Sequence, residues 1–145
     1  MDLINKNVRN SPMILGVDFG ETNTGLALGR NGLVAPLAVV SGKNSDSLIS
    51  QINTVVVENK VEKIVVGIPL TADGKETKES LDIRRVAKLI KVSTKRPVLF
   101  QSEYDTSKEA LKEAIGNGVS KKKRETNDHL AAALILKHFY DETGI

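Results

Sequence analysis

Apolar and polar positions along this chain change period several times, and each change marks an element. Met13-Ile14-Leu15-Gly16-Val17-Asp18 is a nearly unbroken apolar run, the pattern of a strand buried on both faces. After the turn Phe19-Gly20-Glu21-Thr22-Asn23, residues Thr24 to Leu28 read as a second strand. Asn31-Gly32 is a strong hairpin signal, and Leu33 to Val40 form a third strand. Three strands joined by short turns predict an antiparallel meander. The period then lengthens. Leu48, Ile52, Val55 and Val56 make a helical stripe within Asp46–Lys60. Ile64-Val65-Val66-Gly67-Ile68 is a short buried strand ended by Pro69, with a turn at Asp73-Gly74. A second stripe follows at Ile83, Val86, Ala87 and Ile90, then a fifth strand at Pro97–Phe100. Thr106 and Glu109 form a capping box that opens a third helix, to about Asn117. Gly116, Gly118 and Lys121–Arg124 read as a polar loop, and a last helix runs from about Asn127 to Asp141. The order β-β-β-α-β-α-β-α-α predicts an α/β fold: a five-stranded mixed sheet, three strands antiparallel and two parallel, with helices on both faces.

Composition narrows the chemistry. The 145 residues suit one domain, read here as residues 13–145 behind a polar extension at 1–12. There is no cysteine, hence no disulfide, thiol nucleophile or thiolate metal site. Two histidines are too few for most histidine-rich zinc sites. No apolar run approaches the ~20 residues of a membrane span, and the amino terminus lacks a signal-peptide block. A cytoplasmic location with no membrane partner is the expectation. Three Phe, two Tyr and no Trp argue against an aromatic base-stacking platform. The formal charge of +3 permits a nucleic-acid partner without requiring one.

Three acids stand where acids are costly. Asp18 ends the first strand, where α/β sheets place ligands, although a strand-end aspartate can also cap a turn. Glu103 projects about two residues beyond the fifth strand; by itself it also reads as an ordinary surface acid. Asp128 heads the apolar stripe Ala131, Ala132, Ile135, Phe139 of the last helix. A carboxylate on a buried face needs a cation, donors or a metal. Helix capping beside Thr126 and Asn127 is its other reading. Three carboxylates converging on one sheet edge suit Mg²⁺ or Mn²⁺, and two such ions activate water against a phosphodiester.

At these residues the chain resembles a known family. Asp18-Phe19-Gly20 followed by Gly25-Leu26-Ala27 is similar to the D-x-G-x-x-x-x-G-[hydrophobic]-A opening of the YqgF family. Its members are RNase H-like Holliday-junction resolvases, also described as pre-16S rRNA processing nucleases. Val66–Leu70 with Asp73-Gly74 resembles the family's VGLP segment and turn. Ser102–Ser107 with Ala110 falls where the family carries D-E-R-L-[TS]-[TS] and an alanine. Asp128, Ala131-Ala132 and Ile135-Leu136 resemble its terminal D-x-x-A-A-x-x-I-L. The resemblance spans about residues 13–140. It implies an RNase H-like fold and a catalytic, metal-holding set of Asp18, Glu103 and Asp128. It also implies metal-dependent cleavage of structured RNA or branched DNA, as in pre-16S rRNA 5′-end processing or junction resolution. The chain departs from the pattern at Ser102, Tyr104 and Asp105, where the family has Asp, Arg and Leu, and in its non-basic Glu21-Thr22-Asn23-Thr24 loop. These departures motivate an alternative, a catalytically impaired nucleic-acid or ribosome-associated binding protein.

Lys121, Lys122, Lys123 and Arg124 are the candidate phosphate contacts, with a solvated loop as their plain reading. Arg84, Arg85 and Lys88 offer a weaker basic face, and His129 and His138 read as surface or helix-end residues. Asp18–Thr22 also resembles the phosphate-binding opening of the sugar kinase and actin superfamily. That superfamily needs two lobes, and 145 residues supply one.

Overall fold

The computed structural model describes residues 11–41, 45–103 and 121–144, for residues 45 and 121–129 the backbone alone. Its elements are β1 (Ile14–Phe19), β2 (Asn23–Arg30), β3 (Leu33–Ser41), α1 (Ser45–Glu58), β4 (Lys63–Pro69), α2 (Lys78–Thr94), β5 (Val98–Glu103) and α3 (Lys121–Thr143). The strands form one sheet in the order β3-β2-β1-β4-β5. β1–β2 and β2–β3 are antiparallel, while β1–β4 and β4–β5 are parallel. The predicted mixed sheet is therefore observed, and the apolar run at residues 14–17 is explained by its central place.

Alternation in β1 divides two cores. Leu15, Val17 and Phe19 pack with Leu48, Ile52 and Val56 of α1 and Ile83, Ala87 and Ile90 of α2. Ile14 faces the other way, with Ala27 and Val65, against Ala132, Ile135, Leu136, Phe139 and Tyr140 of α3. Each fully buried Leu, Ile or Val contributes roughly 1.5–3 kcal/mol of transfer free energy, so both helical layers are held chiefly by apolar burial. Helices on both faces follow from the fully apolar strands, which leave neither face for water.

Local chemistry sets the joints. Asn31 (φ 53°) and Gly32 (φ 81°) take the left-handed conformations that a tight β2–β3 hairpin demands. The β2–β3 register passes from Leu26↔Ala38 to Ala27↔Pro36, so Leu37 bulges out of the ladder. Thr77 caps α2: its side chain accepts from the Ser80 N–H at 3.0 Å, and Ser80 Oγ accepts from the Thr77 N–H at 2.7 Å. Among the described residues no helix is long and apolar enough to cross a membrane.

Two sequence expectations need revision, and a third is untested. β5 reaches Glu103, so this acid is the last residue of the strand, not one beyond it. The last helix begins at Lys121, not Asn127, so the Lys121–Arg124 run is its opening turn and not a loop. Lys, Arg and Glu are strong helix formers, and here they extend the helix backward. The helix expected from Thr106 to Asn117 lies outside the described residues.

Candidate active site at the carboxyl edge of the sheet

The parallel strands β1, β4 and β5 end together at Phe19, Pro69 and Glu103. Asp18 is partly buried and pairs with Gly25 across the β1–β2 ladder. Strand alternation puts it on the face of Ile14 and Gly16, the face covered by α3. Gln101 and Glu103 lie on that same face of β5, and both are buried, at 3% and 8% exposure. Ser102 alternates to the opposite face. An acid in its place would point away from Glu103, so Ser102 removes nothing from the acidic face.

Small residues let α3 come down close. A Cβ on Gly16 would lie 2.6 Å from Leu136 Cγ and 3.0 Å from the Ala132 carbonyl oxygen. A Cβ on Gly67 would collide with Ile135 and stand 3.6 Å from Glu103 Cγ. The same contacts give the direction of α3. Ala132 and Leu136 sit over Gly16, whereas Tyr140 sits over Gly29, which pairs with Ile14. α3 therefore runs opposite to β1, and the turn before Ala132 approaches the edge where β1 ends. Asp128 occupies that turn of the backbone; its side chain lies outside the described residues. The side chains of Lys121 to Arg124 lie outside them as well, four to seven positions nearer the helix start.

Glu103 has a partner that the sequence reading missed. His138 Nδ1 lies 3.0 Å from Oε1 and 3.2 Å from Oε2 of Glu103. His138 is a half-buried residue on the flank of α3 that faces β5, not a surface or helix-end residue. Its signal was present: His138 is three residues after Ile135, on the flank of the buried stripe. Asp18 and Glu103 supply hard oxygen donors on one face, a donor set fit for Mg²⁺ or Mn²⁺. Among the described residues no three His, Cys, Asp or Glu side chains gather closely enough to hold an ion.

A cleft of about 410 Å³ opens beside this edge on the other face of the sheet, between Phe19, Gly20, Leu48, Ile83 and Val86, rimmed by Glu21, Lys78, Glu79 and Asp82. Its three carboxylates against one lysine disfavour a phosphate there.

Comparison with known proteins agrees with this fold. The model of the RuvX family, described as Holliday junction resolvase, matches residues 12–142. A protein of Syntrophus aciditrophicus is 37% identical over 131 residues, covering 88% of this chain and 87% of its own length. One of Chlorobium phaeobacteroides is 34% identical over 135 residues, covering 90% and 93%. Both are named "Putative pre-16S rRNA nuclease". Among solved structures, Thermus thermophilus RuvC in complex with a Holliday junction substrate superposes with a TM-score of 0.56 at 13% identity, covering 91% of this chain and 96% of its own. The fowlpox virus Holliday junction resolvase gives 0.52 at 14% identity, covering 92% and 99%. At such identities these two structures speak for the fold.

Proposed function

The chain belongs to the RuvX Holliday junction resolvase family and is a nuclease; from that premise we propose that it hydrolyses phosphodiesters of structured RNA with a divalent metal held by Asp18, Glu103 and Asp128. The observation that carries the reading is that Asp18 and Glu103 lie on one face of the sheet at its carboxyl edge, with the backbone turn of α3 that bears Asp128 approaching the same edge. Precursor 16S rRNA is the first substrate to try, because that is the substrate in the names of relatives at 34–37% identity. Branched DNA is the second, from the family description.

Mg²⁺ or Mn²⁺, when bound, would supply an activated water and neutralise the charge developing on phosphate oxygens. The protein's part is to hold the acids ready. Glu103 is sunk beneath α3 and steadied by His138, so its rotamer is restricted before any ligand arrives. Asp18 is fixed by the β1–β2 ladder. Gly16 and Gly67 allow the helix carrying Asp128 to approach. Lys121 to Arg124, at the start of that helix, are suited to contact substrate phosphates. Action on precursor rRNA would put its work in the cytoplasm.

The test is cleavage of a precursor rRNA fragment and of a four-way DNA junction in Mg²⁺ or Mn²⁺. Asp18→Asn should lower the rate on the order of 100-fold or more, since even the groups that support metal ligands are worth 10–100-fold. Cleavage that survives in Asp18→Asn, or that survives chelation of the metal, would overturn the site.

A further inference from the structure

The opposite end of the sheet carries a second charged concavity. A pocket of about 810 Å³ opens where β2 ends and where β4 and β5 begin, lined by Arg30, Lys60, Glu62 and Arg96, with Ser11 at its margin. It lies roughly 20 Å from the acidic edge, the length of a six-residue strand. Three cations face one carboxylate there. Among the described residues none of the three forms an ion pair, not even with Glu62. Arg96 Nε donates to the Val61 carbonyl at 2.9 Å, which anchors the guanidinium and leaves its outer nitrogens open. Among the described residues the buried Arg30 Nε has no hydrogen-bond partner, so its guanidinium is not tied down by a protein acceptor there.

Lys60 adds a separate observation. It sits just past the end of α1 with φ 53°, the left-handed position where helices usually use glycine. The Val61 N–H bonds back to the Val56 carbonyl at 3.0 Å, which fixes this geometry. A lysine therefore occupies a site that strains any residue bearing a Cβ. A cation does answer the carbonyl end of α1, but that end carries only about half a negative charge. Half a charge and Glu62 together leave at least one of the three cations unneutralised.

We propose that this pocket binds a phosphate group, held by Lys60 and by the guanidinium groups of Arg96 and Arg30 that line it. In a nuclease the abundant phosphate-bearing partner is the nucleic-acid backbone, so the pocket anchors substrate at the end of the domain far from the acids. The inference stands on its own geometry and holds whether or not the acids cleave.

Lys60→Gly tests it, because glycine relieves the strained backbone while deleting the charge. The Asp18→Asn background keeps substrate intact, and a labelled single-stranded oligoribonucleotide is followed by anisotropy across a salt series. The expected result is an unchanged or raised melting temperature, weaker binding, and a log–log salt slope shallower by about 0.7, one phosphate contact on a single strand. Arg30→Gln in the same protein should lower the slope further. Inorganic pyrophosphate is the parallel probe, read by thermal shift. If Lys60→Gly abolishes the pyrophosphate shift and leaves oligonucleotide binding untouched, the phosphate site stands and its assignment to nucleic acid falls. If neither response changes, the proposal is wrong. Loss of cleavage activity in the parent protein would bear on the acids alone.

Discussion

Gly16 shows how much one missing methyl group decides. It lies in the central strand beneath α3, where a Cβ would press on Leu136 and on the Ala132 carbonyl. A carbonyl in a packed helix cannot step aside as a flexible side chain can. Gly16→Ala should therefore destabilise the protein by about 1–3 kcal/mol, the usual cost of overpacking, read as a lower urea midpoint. A larger consequence is displacement of the helix that carries Asp128. The residue scale is also where the sequence was least legible. Asp18 could be singled out because an acid at the end of an apolar strand is conspicuous. The Glu103–His138 contact could not, because it joins positions 35 residues apart. It depends on which flank of α3 faces β5, and helical periodicity gives the stripe without the crossing angle.

Elements were more legible than contacts. Every strand and helix predicted within the described residues exists, because period and apolar runs report burial directly. Boundaries moved where two local preferences compete. The start of α3 shifted to Lys121 because glycines and a charge run look like loop, while Lys and Arg also favour helix. The start of α2 shows a further local device. Glu76 accepts from Arg84 Nε at 2.6 Å and Nη2 at 3.0 Å, and from Ser80 Oγ at 3.0 Å. Arg84 in turn lies over the Phe100 ring, 4.7 Å from its centroid, and so links α2 to β5. The Arg84 hydrogen bond holds the Glu76 carboxyl below its ordinary value of 4.5. A depressed carboxyl adds stability above 4.5 and loses it as pH falls through the lowered value. Glu76→Gln should thus melt earlier than the parent at pH 7, and the gap should close as pH drops below about 4.5. A gap that persisted to the acid end would show that Glu76 acts through packing and not through its charge.

At the scale of the whole molecule, one sheet separates two ends of opposite character. Among the described residues Asp18 and Glu103 lie where the parallel strands finish, and cations without an ion pair where they begin. The net charge of +3 conveys none of this polarity, since it sums over both ends. One lateral border is β3, a sheet edge with Leu33, Pro36 and Leu37 exposed. Open edges invite pairing with another copy, and natural proteins guard them with proline and with irregular ladders. Pro36 withholds an N–H from any incoming strand, and the bulge at Leu37 breaks the flat run that such a strand would need. Pro36→Val should leave the fold in place yet raise light scattering on concentration and warming. The proline ring and the bulge together thus keep this exposed border from pairing with a second copy, and leave both ends of the sheet open to a ligand.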